Sequence, residues 1–463
     1  MRRQRIGLPV ALLILLFMIW GIQLSRRAPL AASSQSPGAL IITGSPQHHY
    51  PNVDLSSPRA PFIAWPLARI CTETTAWVPG LVFLCDNNSG GPGNIRNYIL
   101  TCVRYAVEAG ATSLVLPRIR VRSADHLADL FRGGHAPFGY MFSETRFREG
   151  LAAACPRVAV YAALEDVPYV LQKVAREGLP DVEKMVERVA PKDLGRRAGC
   201  DLRDQNRHTD RFGDRFRAWL DESALERRLP AVGIESPRLI RLQWGVLWDW
   251  EVMRDGPEFV ATFGGLLMFR DNVLNLAHAV VRAMRREAGR ISNNAGQANE
   301  SFLAIHLRSE EDALKEWPTY EVQAAGFVTE VGRRGFKGGV AYLASGSESE
   351  SQKFADEAWS EMQLNVRTKY DMLHGQKLET LKSMTWDQQA LVDFAVLLES
   401  DYFVGVSPSS FSINVALKRH LQIGGLLARP WKVGGTGDGR SWVVGNFENY
   451  WDDWLFMYDG MWP

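Results

Sequence analysis

Charge of one sign is missing from this chain. Its 463 residues carry 53 Lys+Arg against 52 Asp+Glu, a formal net charge of +1. A nucleic-acid binder needs a basic surplus or a concentrated basic patch, so the balance argues against that class. Cysteine is scarce as well, with Cys71, Cys85, Cys102, Cys155 and Cys200 making up the total of five. They form no CxxC, and no paired histidines accompany them, so the spacing fits no zinc pattern. In an oxidising compartment they allow one or two disulfides and leave at least one thiol over. The connectivity does not follow from sequence. Long apolar runs are absent after the first thirty residues, which excludes a multi-span transporter. What is plentiful is core material. Hydrophobic residues make up 46% and charged residues 23%, so disorder over most of the length is excluded. The length alone predicts two or three domains at about 150 residues each. The 15 Trp, 12 Tyr and 21 Phe suit both core packing and sugar contact, and the count does not separate the two.

The first thirty residues bear on compartment. Arg2, Arg3 and Arg5 precede an uncharged run of 18 residues, Gly7 to Leu24, and Arg26 and Arg27 follow it. A helix of that length spans roughly 27 Å, enough for a thin bilayer. The basic N-terminus favours the cytosolic side, leaving the remainder lumenal. A cleaved signal peptide, with Ala31 and Ala32 near its cleavage site, is the competing reading, but its apolar stretch is usually about 7–15 residues. The chain therefore reads as a single-pass type II membrane protein of the secretory pathway, Golgi or endoplasmic reticulum. Residues 1–27 form tail and anchor, and the Pro-, Ser- and Ala-rich residues 28–60 form a stalk. Two N-glycosylation sequons follow, Asn87-Asn88-Ser89 and Asn299-Glu300-Ser301, the first inside a loop assigned below to a ligand.

The globular part alternates strands and helices. Val82–Cys85, Ser113–Pro117 and Val158–Tyr161 read as strands, with a helix over Ile95–Ala109. Residues 176–228 read as charged helices and loops, 258–286 as helical, and 291–299 as a linker. A second series has strands at Phe302–His306, Gly339–Ala344, Asn365–Tyr370 and Asp401–Val406. Between and after them lie helices over Gln352–Met362, Trp386–Leu398 (expected to be amphipathic) and from Ser409 to His420. This spacing predicts an α/β chain of two Rossmann-like lobes with parallel sheets, 61–295 and 296–463, facing a cleft.

Four constellations carry chemistry. Gly90, Gly91, Pro92, Gly93 and Asn94, with Arg96 and Asn97, follow a strand and open a helix, so backbone and helix N-terminus can meet an anion. The loop matches neither GxGxxG nor Walker A and also reads as a plain tight turn. His306 and Arg308 stand at the end of a strand where ligands of open α/β sheets bind. Their i, i+2 spacing points them the same way, and a guanidinium suits a diphosphate. Ser409 and Ser410 open another helix, where hydroxyls and free amides can hold phosphate or merely cap. Asp387 and Asp393 can accept bonds from a base edge or a ribose, or be exposed helix acids.

Together these stretches resemble the protein O-fucosyltransferase family. The resemblance rests on His306-Leu-Arg-Ser-Glu-Glu-Asp312, Trp386-Asp-Gln-Gln-Ala-Leu-Val-Asp393 and Leu398-Glu-Ser-Asp-Tyr-Phe-Val-Gly-Val-Ser-Pro-Ser-Ser-Phe411. Gly91 to Asn94 echo the family's first-lobe glycine loop. Coverage is strongest over 302–320 and 384–421, and the first lobe matches only over 82–110. The resemblance implies a GT-B-like fold, GDP-fucose as donor, a protein or glycan acceptor, and inverting transfer with no cofactor and no metal. Carried over, Arg308 holds the β-phosphate with His306 beside it, while Ser409, Ser410 and Phe411 bind the diphosphate. Asp387 and Asp393 contact guanine and ribose, and Gly91, Gly93 and Asn94 lie against the donor. The second-lobe loops hold no Asp-Xaa-Asp, so positive charge must come from arginine and helix dipoles. The pattern departs from the family after the glycine loop: no acid occurs there until Glu108, so a catalytic base is not placed. A transferase using another nucleotide sugar, or a non-catalytic relative that binds glycans or a partner, are the alternatives.

Overall fold

The computed structural model describes residues 41–42, 53–123, 129, 132–194, 212–294, 299–310, 313–422 and 439–463. The expected anchor over 1–27 lies outside the described residues, as do Cys200, Glu311 and Asp312. Among the described residues no helix is long and apolar enough to cross a membrane.

Two five-stranded sheets organise the chain, and every strand pairing in both is parallel. The first comprises β1 (Val78–Leu84), β2 (Ala111–Val115), β3 (Ala159–Tyr161), β4 (Val186–Val189) and β5 (Arg238–Leu242), in spatial order β3-β2-β1-β5-β4. The second comprises β6 (Leu303–His306), β7 (Val340–Ala344), β8 (Asn365–Arg367), β9 (Tyr402–Val406) and β10 (Ser441–Val444), in order β8-β7-β6-β9-β10. Helices cover the faces, which is why Leu81–Leu84, β6, β7 and β9 are buried runs without alternation. The helices that matter below are α1 (Pro92–Ala109), α2 (Asp271–Asn294), α3 (Tyr320–Arg333), α4 (Glu348–Met362), α5 (Trp386–Leu398) and α6 (Ser410–His420). The α/β reading with parallel sheets therefore holds.

Some expectations fail for stateable reasons. The charged stretch 176–228 was expected to lack strands, yet it contains β4. Of its residues Val-Glu-Arg-Val only Val189 is buried, because β4 is an edge strand. β5 was missed because arginines interrupt it. Both are buried and neutralised: Arg238 by Glu187, and Arg241 by Asp86 and Glu183. Asn365–Tyr370 is not one strand, since β8 ends at Arg367 and a short helix takes Lys369–Met372. Helix α5 has the expected bounds but is not amphipathic. It is buried from Leu391 to Leu398, wedged between α2 on one side and α6 with the second sheet on the other.

The core runs across residue 295. Helix α2 precedes that point in sequence yet packs on α5 and β7. Residues 460–463 return to α1: Arg96 Nη1 donates to the Trp462 carbonyl (2.7 Å), and Asn97 accepts from Trp462 N (2.9 Å). Arg96 and Asn97 thus hold chain, not ligand. Two disulfides close long loops, Cys71–Cys155 and Cys85–Cys102; the second ties the exit of β1 to α1. Of the sequons, Asn88 and Ser89 are buried in the β1–α1 loop, while Asn299 is exposed.

Candidate active site

In open parallel sheets ligands bind beyond the strand C-termini, where the strand order reverses. The second sheet reverses between β6 and β9, and the first between β1 and β5. The loops leaving these four strands converge on one cavity of about 1140 Å³. Gly91, Asn94, Trp244 and Trp248 line it from the first half of the chain. His306, Arg308, Ser409, Ser410 and Phe411 line it from the second.

The floor is built where two helices begin. Ser409 caps α6, its hydroxyl accepting from Ser412 N at 3.5 Å. The following amides have no carbonyl to bond within the helix, so α6 presents donors and a positive dipole end. The start of α1 abuts this point. A Cβ on Gly93 would lie 2.8 Å from the Ser410 carbonyl oxygen, so only glycine allows the approach. Gly90 adopts φ +96°, and a Cβ there would lie 2.6 Å from Asn94 Nδ2. Asn94 faces the cavity with its Oδ1 buried and without a hydrogen-bond partner. That acceptor is available to a ligand donor.

His306 is held beneath the cavity. Its Nδ1 is hydrogen-bonded to Ser412 Oγ at 2.7 Å, and its ring lies 4.5 Å from that of Phe411. Burial, with Arg308 adding to it, pushes its pKa down to about 3. The imidazole is therefore neutral at neutral pH. The unfolded chain takes up a proton near pH 6.5 that the folded site refuses, so this group lowers stability as pH falls through that value.

Arg308 is fixed rather than free to swing. Its backbone is clamped by Gln323 of α3, which accepts from Arg308 N (2.9 Å) and donates to its carbonyl (2.8 Å). Glu310 accepts from Arg308 Nη1 and, through its other oxygen, from Gly346 N at 2.6 Å. The guanidinium lies 5.6 Å from the Trp317 ring. The cation is thus positioned by an acid, an aromatic face and the turn after β7.

The two helix acids part company. Asp393 lines the cavity but is fully engaged: Tyr342 donates to Oδ1 (2.5 Å) and Lys369 Nζ to Oδ2 (2.7 Å). Burial raises its pKa, and Lys369 opposes the shift. Asp387 is buried and does not line the cavity. It was expected to contact the nucleoside; instead its Oδ2 accepts from Arg122 N (3.2 Å), and its Oδ1 lies 3.7 Å from Arg122 Nε. Near the start of α5 its carboxylate thus faces Arg122, in the loop after β2. Burial, partly offset by Arg122, pushes its pKa up to about 6.

A pH dependence follows. Between about pH 4 and 6 the folded protein keeps a proton on Asp387 that the unfolded chain has released, so stability falls as pH rises through that window. A displacement from 3.8 to about 6 corresponds to about 3 kcal/mol. His306 contributes the opposite slope over the same range, so the test is a difference: in denaturant unfolding from pH 4 to 7, the stability of wild type minus that of Asp387→Asn should fall with pH by this amount.

Sequence reasoning missed several lining residues: Arg122, Trp244, Trp248, Trp317, Lys369 and Trp386. Trp386 stood directly beside a quoted acid, and Glu310 stood two residues from Arg308, the same-side spacing that joined His306 to Arg308. Arg122 gave no signal, since it belongs to no strand or helix. The acid just before the glycine loop, Asp86, is gripped by Arg241 through both oxygens (2.6 and 2.8 Å) and supplies no free base.

Comparison with known proteins adds the family. No curated protein sequence matches. Among solved structures the chain is similar to POFUT1 in complex with GDP, at 16% identity and a TM-score of 0.42, over 80% of this chain and 100% of that one. POFUT1 with GDP-fucose gives 15%, 0.42, 80% and 100%. An Arabidopsis thaliana FUT1 mutant in complex with GDP gives 9%, 0.38, 82% and 74%. The sequence profile named GDP-fucose protein O-fucosyltransferase matches residues 81–422, a span holding the glycine loop, Arg308, both helix acids and the start of α6. By that match the chain belongs to the GDP-fucose protein O-fucosyltransferase family.

Proposed function

We propose that this protein transfers fucose from GDP-fucose to a hydroxyl of a protein or glycan acceptor, with inversion at the anomeric carbon and no metal ion. The observation that carries the proposal is the convergence of Arg308 and the N-terminus of α6 on one cavity, at the switch point of the second sheet, in a chain of this family. As the bond from the anomeric carbon to the phosphate oxygen breaks, negative charge grows on the diphosphate. A fixed guanidinium and the free amides of α6 meet that charge without reorganising. The acceptor oxygen bonds to the opposite face of the anomeric carbon. Its proton passes to the departing phosphate, which balances the step without a carboxylate base. His306 stays neutral and supports Phe411 and Ser412 rather than moving the proton. GDP release is the direct test. GDP-fucose should be consumed faster than GDP-mannose or any UDP-sugar, equally with and without EDTA. Turnover of a UDP-sugar in preference to GDP-fucose would overturn the assignment.

The same proposal places the globular part in the lumen of the secretory pathway, in keeping with its two disulfides. There, an N-linked glycan should be found at Asn299, which is exposed, and none at Asn87, whose loop is folded against Leu242 and Arg118. Glycosidase treatment of protein secreted from eukaryotic cells should give one mass step, and Asn299→Gln should abolish it.

A further inference from the structure

We propose that Arg122, from the loop after β2, is a second cation of the donor site that grips the diphosphate opposite Arg308, with Asp387 and Trp386 as its positioning residues. This deepens the reading given above and rests on it. Arg122 lines the same cavity as Arg308. Its side chain is only 8% exposed. Charge buried that far is costly unless it is paired, and Asp387 is its partner at 3.7 Å. Its guanidinium lies 5.0 Å from the Trp386 ring, against one face of a flat wall. The edge of that wall touches the turn that Glu310 binds: a Cβ on Gly346 would lie 2.8 Å from Trp386 Cζ2 and 2.7 Å from Glu310 Oε1. Trp386 therefore stands between the two arginines, one on its face and one held through Glu310 at its edge.

Arg122 also reaches the glycine loop. The Arg122 Nη2 atom is 3.5 Å from where a Cβ on Gly91 would sit, so the guanidinium reaches the start of α1 beside the glycine loop. The backbone of Gly91 is extended, with φ −76°, and a Cβ there would meet Arg122 in ordinary van der Waals contact, so this approach places the guanidinium beside the loop without requiring glycine. Asp387 then has a reason to be buried at the start of α5. It accepts the Arg122 amide and faces its Nε, aiming the side chain across the cleft from the first half of the chain to the second. An arginine fork serves a diphosphate better than an ammonium would.

The test compares GDP with guanosine, since the two differ only in the diphosphate. Calorimetric titrations use the full chain as wild type, Arg122→Gln, Arg122→Lys and the double variant Arg122→Gln/Asp387→Asn. The double variant matters because Arg122→Gln alone leaves a buried carboxylate unpaired and so threatens folding. Wild type should prefer GDP strongly. Arg122→Gln and the double variant should bind GDP on the order of 10–100-fold more weakly, the loss of one charge-assisted contact, with guanosine affinity unchanged. Arg122→Lys should fall between. Equal GDP affinity in wild type and the folded double variant would overturn the role of Arg122 and leave the donor reading standing. Wild type that binds no GDP would overturn both.

Discussion

Arg308→Ala is expected to slow turnover of GDP-fucose on the order of 10²–10³-fold, with a smaller change in KM. The loss should fall on kcat because charge on the leaving diphosphate develops mainly in the transition state. The structure shows how the charge is held in place beforehand. The Arg308 backbone is pinned by Gln323, its Nη1 by Glu310, and its plane lies beside Trp317. Such preorganisation has its effect because nothing must move when the bond breaks. Arg308→Lys should recover part of the loss, since an ammonium keeps the charge but not the fork. Glu310→Gln should act in the same direction and less strongly, by loosening the guanidinium. The measurement is initial-rate kinetics at saturating donor on folded variants, and near-wild-type kcat in Arg308→Ala would remove Arg308 from the mechanism.

Lys369→Met is expected to cost about 3–5 kcal/mol of stability at neutral pH. Lys369 and Asp393 have side chains 7% exposed each, and their contact is 2.7 Å. Removing the ammonium leaves Asp393 charged in a low-dielectric site with only the Tyr342 hydroxyl for company. The sign with pH is fixed by the direction of the shift. Burial already raises the Asp393 pKa in the presence of Lys369, and without it the pKa rises further. The folded variant then holds a proton over a wider pH range than the unfolded chain. Its deficit should therefore shrink as pH falls and the carboxyl becomes neutral in both states. Adding Asp393→Asn should return part of the loss, because the orphan charge is gone. A double-mutant cycle by urea unfolding measures this coupling directly.

The second half of the chain was the more legible in sequence. Its strands β6, β7 and β9 are short apolar runs buried on both faces, and no polar residue disguises them. His306 and Arg308 could be placed at a strand end from spacing alone, and Ser409 at a helix start from its side chain. The first half hid its central neighbour strand. In β5, Arg238 and Arg241 are neutralised by acids far away in sequence, Glu187 and Asp86, which a local pattern cannot reveal. The same limit applies to the two helix acids. Asp387 and Asp393 read alike on paper, six residues apart on one helix. Their partners, Arg122 on one side and Lys369 with Tyr342 on the other, decide which of them reaches the cavity wall. Arg96 and Asn97 looked like ligand residues because they follow a glycine loop; the chain segment 460–463 claims both. Long-range pairing of charge is what the sequence conceals, at Arg238 and Arg241 in β5 as at Arg122 on the cavity wall.

The central claim is that the cavity is a guanine-nucleotide donor site that works without metal. A ligand that binds only the folded state must raise its apparent stability. The most direct measurement is a thermal-shift titration of the purified chain with GDP, GDP-fucose, GDP-mannose, UDP and UDP-sugars, before and after EDTA. The account predicts stabilisation by GDP and GDP-fucose that survives EDTA, and none by UDP or its sugars. Folded protein that ignores every guanine nucleotide would contradict it.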